Sequence, residues 1–237
     1  MKKYSGIIGL VSALLCVCCL SIFSLCRNEL RNDIKINIHF DKPPLFLSDS
    51  SVNKLLTQKI NPLYKRSKDS LDLNKIEIVL KDIPTVQNAD VFQTPIGHFG
   101  ILLYERKPLF RVLGQENYYV DRFGKKFPLS KRHVSDVPVF LGKLSDETLE
   151  DVVNLVVALN GDSFFLKELV HLSKKDGMYR IGIRSLPYDF IFGKYVRVKS
   201  KIKKLKVFCA FQKEQKSLKK YRSANLIYKN QVVVTTH

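Results

Sequence analysis

The chain has almost nothing with which to build a cross-linked or metal-bound fold. Of its five cysteines, Cys16, Cys18, Cys19 and Cys26 crowd into the first 26 residues, and Cys209 stands alone. A lone cysteine forms no internal disulfide, so the chain beyond residue 26 must be held by its core. The same scatter excludes a cysteine-based metal site. His39, His98, His133, His171 and His237 lack the helical pairing or nearby cysteine that zinc requires. The pairs Gly124-Lys125, Gly142-Lys143 and Gly193-Lys194 lack the preceding glycine and the following Ser/Thr of a phosphate loop. No serine sits in a Gly-x-Ser-x-Gly turn. No cofactor is expected, and the chain reads as a protein that is not an enzyme. A carboxylate pair joined only in space, as in a cell-wall enzyme, stays open as an alternative. Tryptophan, internal repeats and low-complexity linkers are missing as well.

What the chain does have is a core and an excess of positive charge. Its 237 residues are 45% hydrophobic and 26% charged, which argues against disorder. Lys and Arg number 40 against 22 acids, a formal charge of +18. Such an excess ordinarily points to nucleic acid. The N-terminus argues otherwise. Met1-Lys2-Lys3-Tyr4 precedes an apolar run from Gly6 to Cys26 with no charge until Arg27, and roughly 20 such residues cross a bilayer as a helix. Leu25 beside the candidate bond spoils a small-x-small cleavage site, so an uncleaved anchor is preferred to a signal peptide. Lys2 and Lys3 favour a cytoplasmic N-terminus, although Arg27 and Arg31 weaken the asymmetry. Nearly all basic residues then lie outside the cytoplasm, which excludes nucleic acid as partner. The excess charge reads as a solvated surface, with lipid headgroups or cell-wall polymers as alternatives.

Beyond the anchor, Ile34, Ile36, Ile38 and Phe40 alternate with polar residues, a half-buried strand. Ser48-Asp49-Ser50-Ser51 offers cap oxygens ahead of Val52, Leu55, Leu56 and Ile60, and Asn61-Pro62 ends that helix. A second helix opens near Asp72, with Leu73, Ile76, Val79, Leu80 and Ile83 on one stripe, and stops at Pro84. Strands follow at 86–92 and 99–104, the second ending at Glu105-Arg106-Lys107-Pro108. Strand, helix, helix, strand, strand resembles the POTRA arrangement, two helices on one face of a three-stranded sheet.

The remainder is mostly strand. Tyr118 to Phe127 reads as a hairpin turning at Asp121 and Gly124. Ser145 caps a helix carrying Leu149, Val152, Val153, Val156 and Leu159, stopped by Asn160-Gly161. A hairpin through 166–172 turns at Asp176-Gly177 and returns through Tyr179, Ile181 and Ile183. Another strand covers 188–192. The densely basic stretch 194–221 reads as a helix and a loop, and Ala224 to Val234 closes the chain as β structure. The fold class is α+β: a cytoplasmic tail at 1–5, a transmembrane helix at 6–26, a POTRA domain at 34–105, and a mostly antiparallel β-domain at 106–237 with flanking helices and a C-terminal edge strand.

Several segments together resemble the FtsQ/DivIB family of bacterial cell-division proteins. Leu73 to Glu77 with Leu80 to Pro84 and Val86 are similar to the second POTRA helix and its exit. Pro95 and the strand ending Glu105-Arg106-Lys107-Pro108 resemble the family's most characteristic motif. Val120-Asp121 with Gly124 and Phe127, Pro138 to Gly142, and Asn225 to Val234 are similar to later family segments. The missing tryptophan and the basic 194–220 stretch depart from the family pattern. The resemblance implies a single-pass inner-membrane protein with a periplasmic main domain at the division septum. It implies a scaffold linking early division components to an FtsB/FtsL pair and septal peptidoglycan synthesis. Partner contacts are expected at a terminal strand through Asn225, Leu226, Ile227, Tyr228, Lys229, Val232 and Val233, by strand addition. Other division proteins are expected at the POTRA sheet edge, and Glu105, Arg106, Lys107 and Pro108 form the domain joint. A POTRA-bearing transport or chaperone component of the envelope is the alternative, although the stretch after Pro108 reads as neither a barrel nor a further POTRA copy.

Overall fold

The computed structural model describes residues 2–30, 36–59, 73–94, 98–215 and 221–236. Expectations resting on Ile34, Ile60, Asn61-Pro62, Asp72, Pro95 and 216–220 lie outside the described residues. Helix α1 covers Lys2–Leu30. From Gly9 to Ser24 every residue of α1 is exposed. Among the described residues no helix is long and apolar enough to cross a membrane. The apolar side chains of that stretch nevertheless stand open, Leu10 at 69% and Phe23 at 61% exposure.

Strand β1 (Ile36–Phe40), helix α2 (Asp49–Lys59), helix α3 (Leu73–Lys81), β2 (Val86–Gln93) and β3 (Phe99–Glu105) follow in the expected order. The sheet runs β1-β3-β2, with β1 parallel and β2 antiparallel to β3. Val52 of α2 and Ile76 and Leu80 of α3 meet Val86, Ile101 and Leu103 in one buried cluster. Spacing by three and four puts the helical residues on one face, and spacing by two does the same for the strands. Val79, expected on that stripe, is only half-buried. Glu77 adds a polar clasp: its Oε1 accepts from the Val91 N–H at 3.0 Å. That bond holds the Glu77 carboxyl below its ordinary pKa. Val91 has β3 on one side only, so α3 covers part of the β2 edge.

The second sheet has nine strands in the order β12-β11-β10-β9-β8-β7-β4-β5-β6. They are β4 (Pro108–Leu113), β5 (Tyr118–Asp121), β6 (Lys126–Pro128), β7 (Val139–Leu141), β8 (Leu169–Lys175), β9 (Met178–Ile183), β10 (Asp189–Gly193), β11 (Tyr221–Asn225) and β12 (Val233–Thr236). Helices α4 (Asp146–Asn160) and α5 (Ser163–Glu168) link the parallel pair β7 and β8, and α6 (Val198–Gln215) links the parallel pair β10 and β11. Parallel neighbours need such crossovers. The other neighbours pair antiparallel except β4 with β7. Val152, Val156 and Leu159 of α4 are fully buried with Phe110, Ile181 and Phe190 of the sheet. Gly177 (φ +72°) after Asp176 (φ +53°) supplies the left-handed pair of the β8–β9 turn.

Three local expectations are corrected, and a fourth holds with a different backbone geometry. Residues 166–168 belong to α5, not to a strand, because Asp162 caps a new turn by accepting from the Phe164 N–H at 2.9 Å. Ser145 sits at the N-cap, but its hydroxyl pairs with Thr148 Oγ1 at 3.0 Å and takes no backbone amide. α4 ends at Asn160 with Gly161 as its C-cap, as expected, although Gly161 is right-handed at φ −66° and the chain turns extended only at Asp162. Residues 225–234 are not one strand. Asn225 ends β11, Val233 begins β12, and 226–232 form a loop between them.

Candidate interaction site at the joint and the C-terminal edge

The joint is a built polar junction. Glu105, at the end of β3, accepts from three consecutive backbone amides, Leu45 at 2.7 Å, Phe46 at 3.0 Å and Leu47 at 2.6 Å. Three converging N–H groups compensate a carboxylate better than one exposed ammonium does. Arg106, 8% exposed, donates Nε to Pro84 O at 3.0 Å and Nη2 to Val86 O at 2.8 Å. Its Nη1 reaches Asp121 Oδ2 at 2.5 Å. Asp121 is 2% exposed. Its other oxygen accepts from the Phe123 and Lys125 amides, each at 2.8 Å, and so shapes the turn in which Gly124 takes φ +77°. One carboxylate therefore serves the hairpin turn and the ion pair at once. Lys107 points to solvent, and Pro108 opens β4 opposite Asp121.

Sequence reasoning missed the apolar half of this junction. Phe46, in the loop between β1 and α2, lies edge-on to Tyr119 at 5.8 Å, to Phe127 at 5.9 Å and to His133 at 5.7 Å. Arg132 donates to Leu47 O at 2.8 Å from the other side. The only available signal was the short run Leu45-Phe46-Leu47 behind two prolines, which reads as a breaker.

At the far end, β12 is the last strand of the sheet. It pairs with β11 in the register Asn225↔Val233, Ala224↔Val234 and Ser223↔Thr235. Its other side has no neighbour among the described residues. The loop before it is strapped to α6 by cations on carbonyls: Lys204 Nζ on Leu226 O at 2.8 Å and on Tyr228 O, and Arg197 Nη2 on Ile227 O at 3.1 Å. Those bonds take the carbonyls that a continuous strand would use in its ladder, which is why the segment leaves the sheet. Lys201, 2% exposed, donates to Lys194 O at 2.8 Å and lies 4.8 Å from the Phe192 ring centre. Burial, helped by Arg197 and Lys204, pushes its pKa down to about 8.

The expected contact residues are thereby divided. Leu226 is buried, and its N–H bonds Ile191 O at 3.0 Å. Asn225 Oδ1 accepts from the Ile227 N–H at 2.9 Å. Val232 packs on the core from the loop. Tyr228 at 49% and Val233 at 38% exposure face outward, as does Lys229. A groove of about 510 Å³ runs beside them, between α6 (Lys203, Val207, Phe211) and loop residues Lys229 to Val232. Among the described residues, no group of His, Cys, Asp or Glu could hold a metal ion. The arrangement offers a strand edge, exposed aromatic and aliphatic side chains and cations, which is recognition chemistry.

Two family models divide this architecture between them. A POTRA-like domain matches residues 30–104, and the model described as FtsQ/DivIB, C-terminal related, matches residues 107–235. The chain belongs to the FtsQ/DivIB C-terminal-related family. No curated protein matches it. In this FtsQ/DivIB-related chain the two matches are separated by Glu105 and Arg106, and Arg106 bridges β2 to the β5–β6 turn.

Proposed function

We propose that the chain is a non-enzymatic cell-division scaffold of the inner membrane, with α1 as its single anchor and both sheets in the periplasm at the septum. It links early division components to an FtsB/FtsL-type complex, and so to septal peptidoglycan synthesis. Family membership and the apolar run from Gly6 to Cys26 support this reading, and Lys2 and Lys3 favour the N-in orientation. The observation that carries the mechanism is the open side of β12. A four-residue strand with one free edge accepts a partner strand through main-chain bonds, and Tyr228 and Val233 beside it supply side-chain selection. In the POTRA-like sheet, Glu77 blocks Val91 on β2, so β1 is the freer edge for other division proteins.

Consecutive residues of an edge strand aim their amides alternately at the neighbour and at solvent. Val234→Pro and Thr235→Pro therefore remove one amide of each kind. Binding to an FtsB-type partner should collapse in the variant that loses the outward amide, while its thermal unfolding stays near wild type. Retained binding in both folded variants would exclude strand addition at β12. A fluorescent fusion spread evenly around the envelope, with no mid-cell band, would count against the division role itself.

A further inference from the structure

The charge of this chain is not spread evenly. Residues 194–215 carry eight Lys and Arg against the single acid Glu214. Three of those cations, Arg197, Lys201 and Lys204, are engaged with backbone carbonyls. Four others, Lys199, Lys203, Lys206 and Lys213, stand exposed on one stripe of α6, since 3.6 residues per turn brings these positions together. Among the described residues α6 makes one ion pair, Lys206 Nζ to Asp162 Oδ2 at 2.7 Å. The flank of the stripe is apolar: Val207 is 62% and Phe211 49% exposed, with Ala210 open between the lysines.

We propose that this face of α6 docks on an anionic phospholipid surface. Lysines standing beside exposed aliphatic and aromatic side chains are the composition of helices that lie in a bilayer interface. Their ammonium groups meet lipid phosphates, their stems and the neighbouring apolar groups meet the acyl boundary. A soluble polyanion would satisfy the lysines and leave Val207 and Phe211 in water. The proposal goes beyond the scaffold reading and does not depend on it, since docking is scored without any division partner.

The test uses the full chain kept soluble in phosphatidylcholine nanodiscs and mixed with added vesicles, which are then floated. Phosphatidylglycerol-rich vesicles should carry the protein up, and pure phosphatidylcholine vesicles should not. Lys199→Ala/Lys203→Ala/Lys213→Ala should weaken that partitioning about a hundredfold, from three lysines near an anionic surface. Lys125→Ala/Lys131→Ala/Lys143→Ala makes the same change in net charge among exposed residues elsewhere, and should cost far less. Val207→Ser/Phe211→Ser should weaken partitioning severalfold with every charge kept. Equal losses in the two lysine triples would overturn the proposal in favour of net charge alone. Undiminished partitioning of the Val207/Phe211 variant would overturn it in favour of a surface without an apolar layer. Indifference to phosphatidylglycerol would overturn it outright, leaving an acidic protein as the occupant of this face.

Discussion

Asp121→Asn separates the two duties of the joint carboxylate. The amide keeps a carbonyl for the Phe123 and Lys125 N–H groups but deletes the charge facing Arg106. Both partners are buried, so water does not replace the lost anion easily, and removing one member of a buried pair costs about 3–5 kcal/mol. Arg106→Met should cost at least as much, because it also strips the donors from the Pro84 and Val86 carbonyls. The double variant should cost clearly less than the sum, with a coupling on the order of 2–3 kcal/mol, since the second change removes a charge already orphaned. Urea unfolding of the full chain, followed by far-ultraviolet circular dichroism, reads all three free energies from midpoint and slope. The same curves report whether one transition splits into two when the sheets lose their shared pair. A loss under about 1 kcal/mol for Asp121→Asn would be the behaviour of an exposed pair and would refute this reasoning. So would strict additivity in the cycle.

Two further changes probe the second sheet. His171 on β8 reaches over Gly182 of β9 to put Nε2 3.0 Å from Asp189 Oδ1 of β10. A Cβ at Gly182 would stand 2.0 Å from His171 Cε1, so Gly182→Ala should lose about 1–3 kcal/mol in urea melts, and an unchanged midpoint would exclude that crossing. Lys201 has a folded pKa of about 8, below the unfolded value of about 10.4. Between those values the unfolded chain holds more protons, so the contribution of Lys201 to stability rises with pH. Melts of wild type and Lys201→Met from pH 7 to 10 should therefore show the gap moving in favour of wild type above pH 8, and a pH-independent gap would refute the depressed value.

Periodic elements were legible in the sequence, and long-range polar contacts were not. The 34–40 alternation, the 73–83 stripe and the strands at 86–92 and 99–104 appear in the structure to within about two residues where described, because one face of each is buried. The 166–168 stretch failed because a short apolar run carries no period of its own. The terminal segment failed for a different reason. Leu226 to Tyr228 has strand composition, but its carbonyls are taken by Lys204 of α6 and by Arg197 just before that helix, both far earlier in the chain. The contacts of the 105–108 segment were invisible, because its partners at 45–47, 84–86 and 121 are separated from it in sequence and joined only by folding.

The position of Phe46 has a consequence for taking this chain apart. Its ring completes an aromatic cluster whose other members, Tyr119 and Phe127, belong to the nine-stranded sheet. A cut at the joint would leave that sheet with a notch where the ring had been, and with Asp121 facing an empty seat. The piece carrying residues 34–105 would in turn display a phenylalanine on a Glu105-braced loop, a peg without its hole. Fragments divided at the family boundary should therefore prefer each other over solvent, and a mixture of the two is a better description of the intact molecule than either alone.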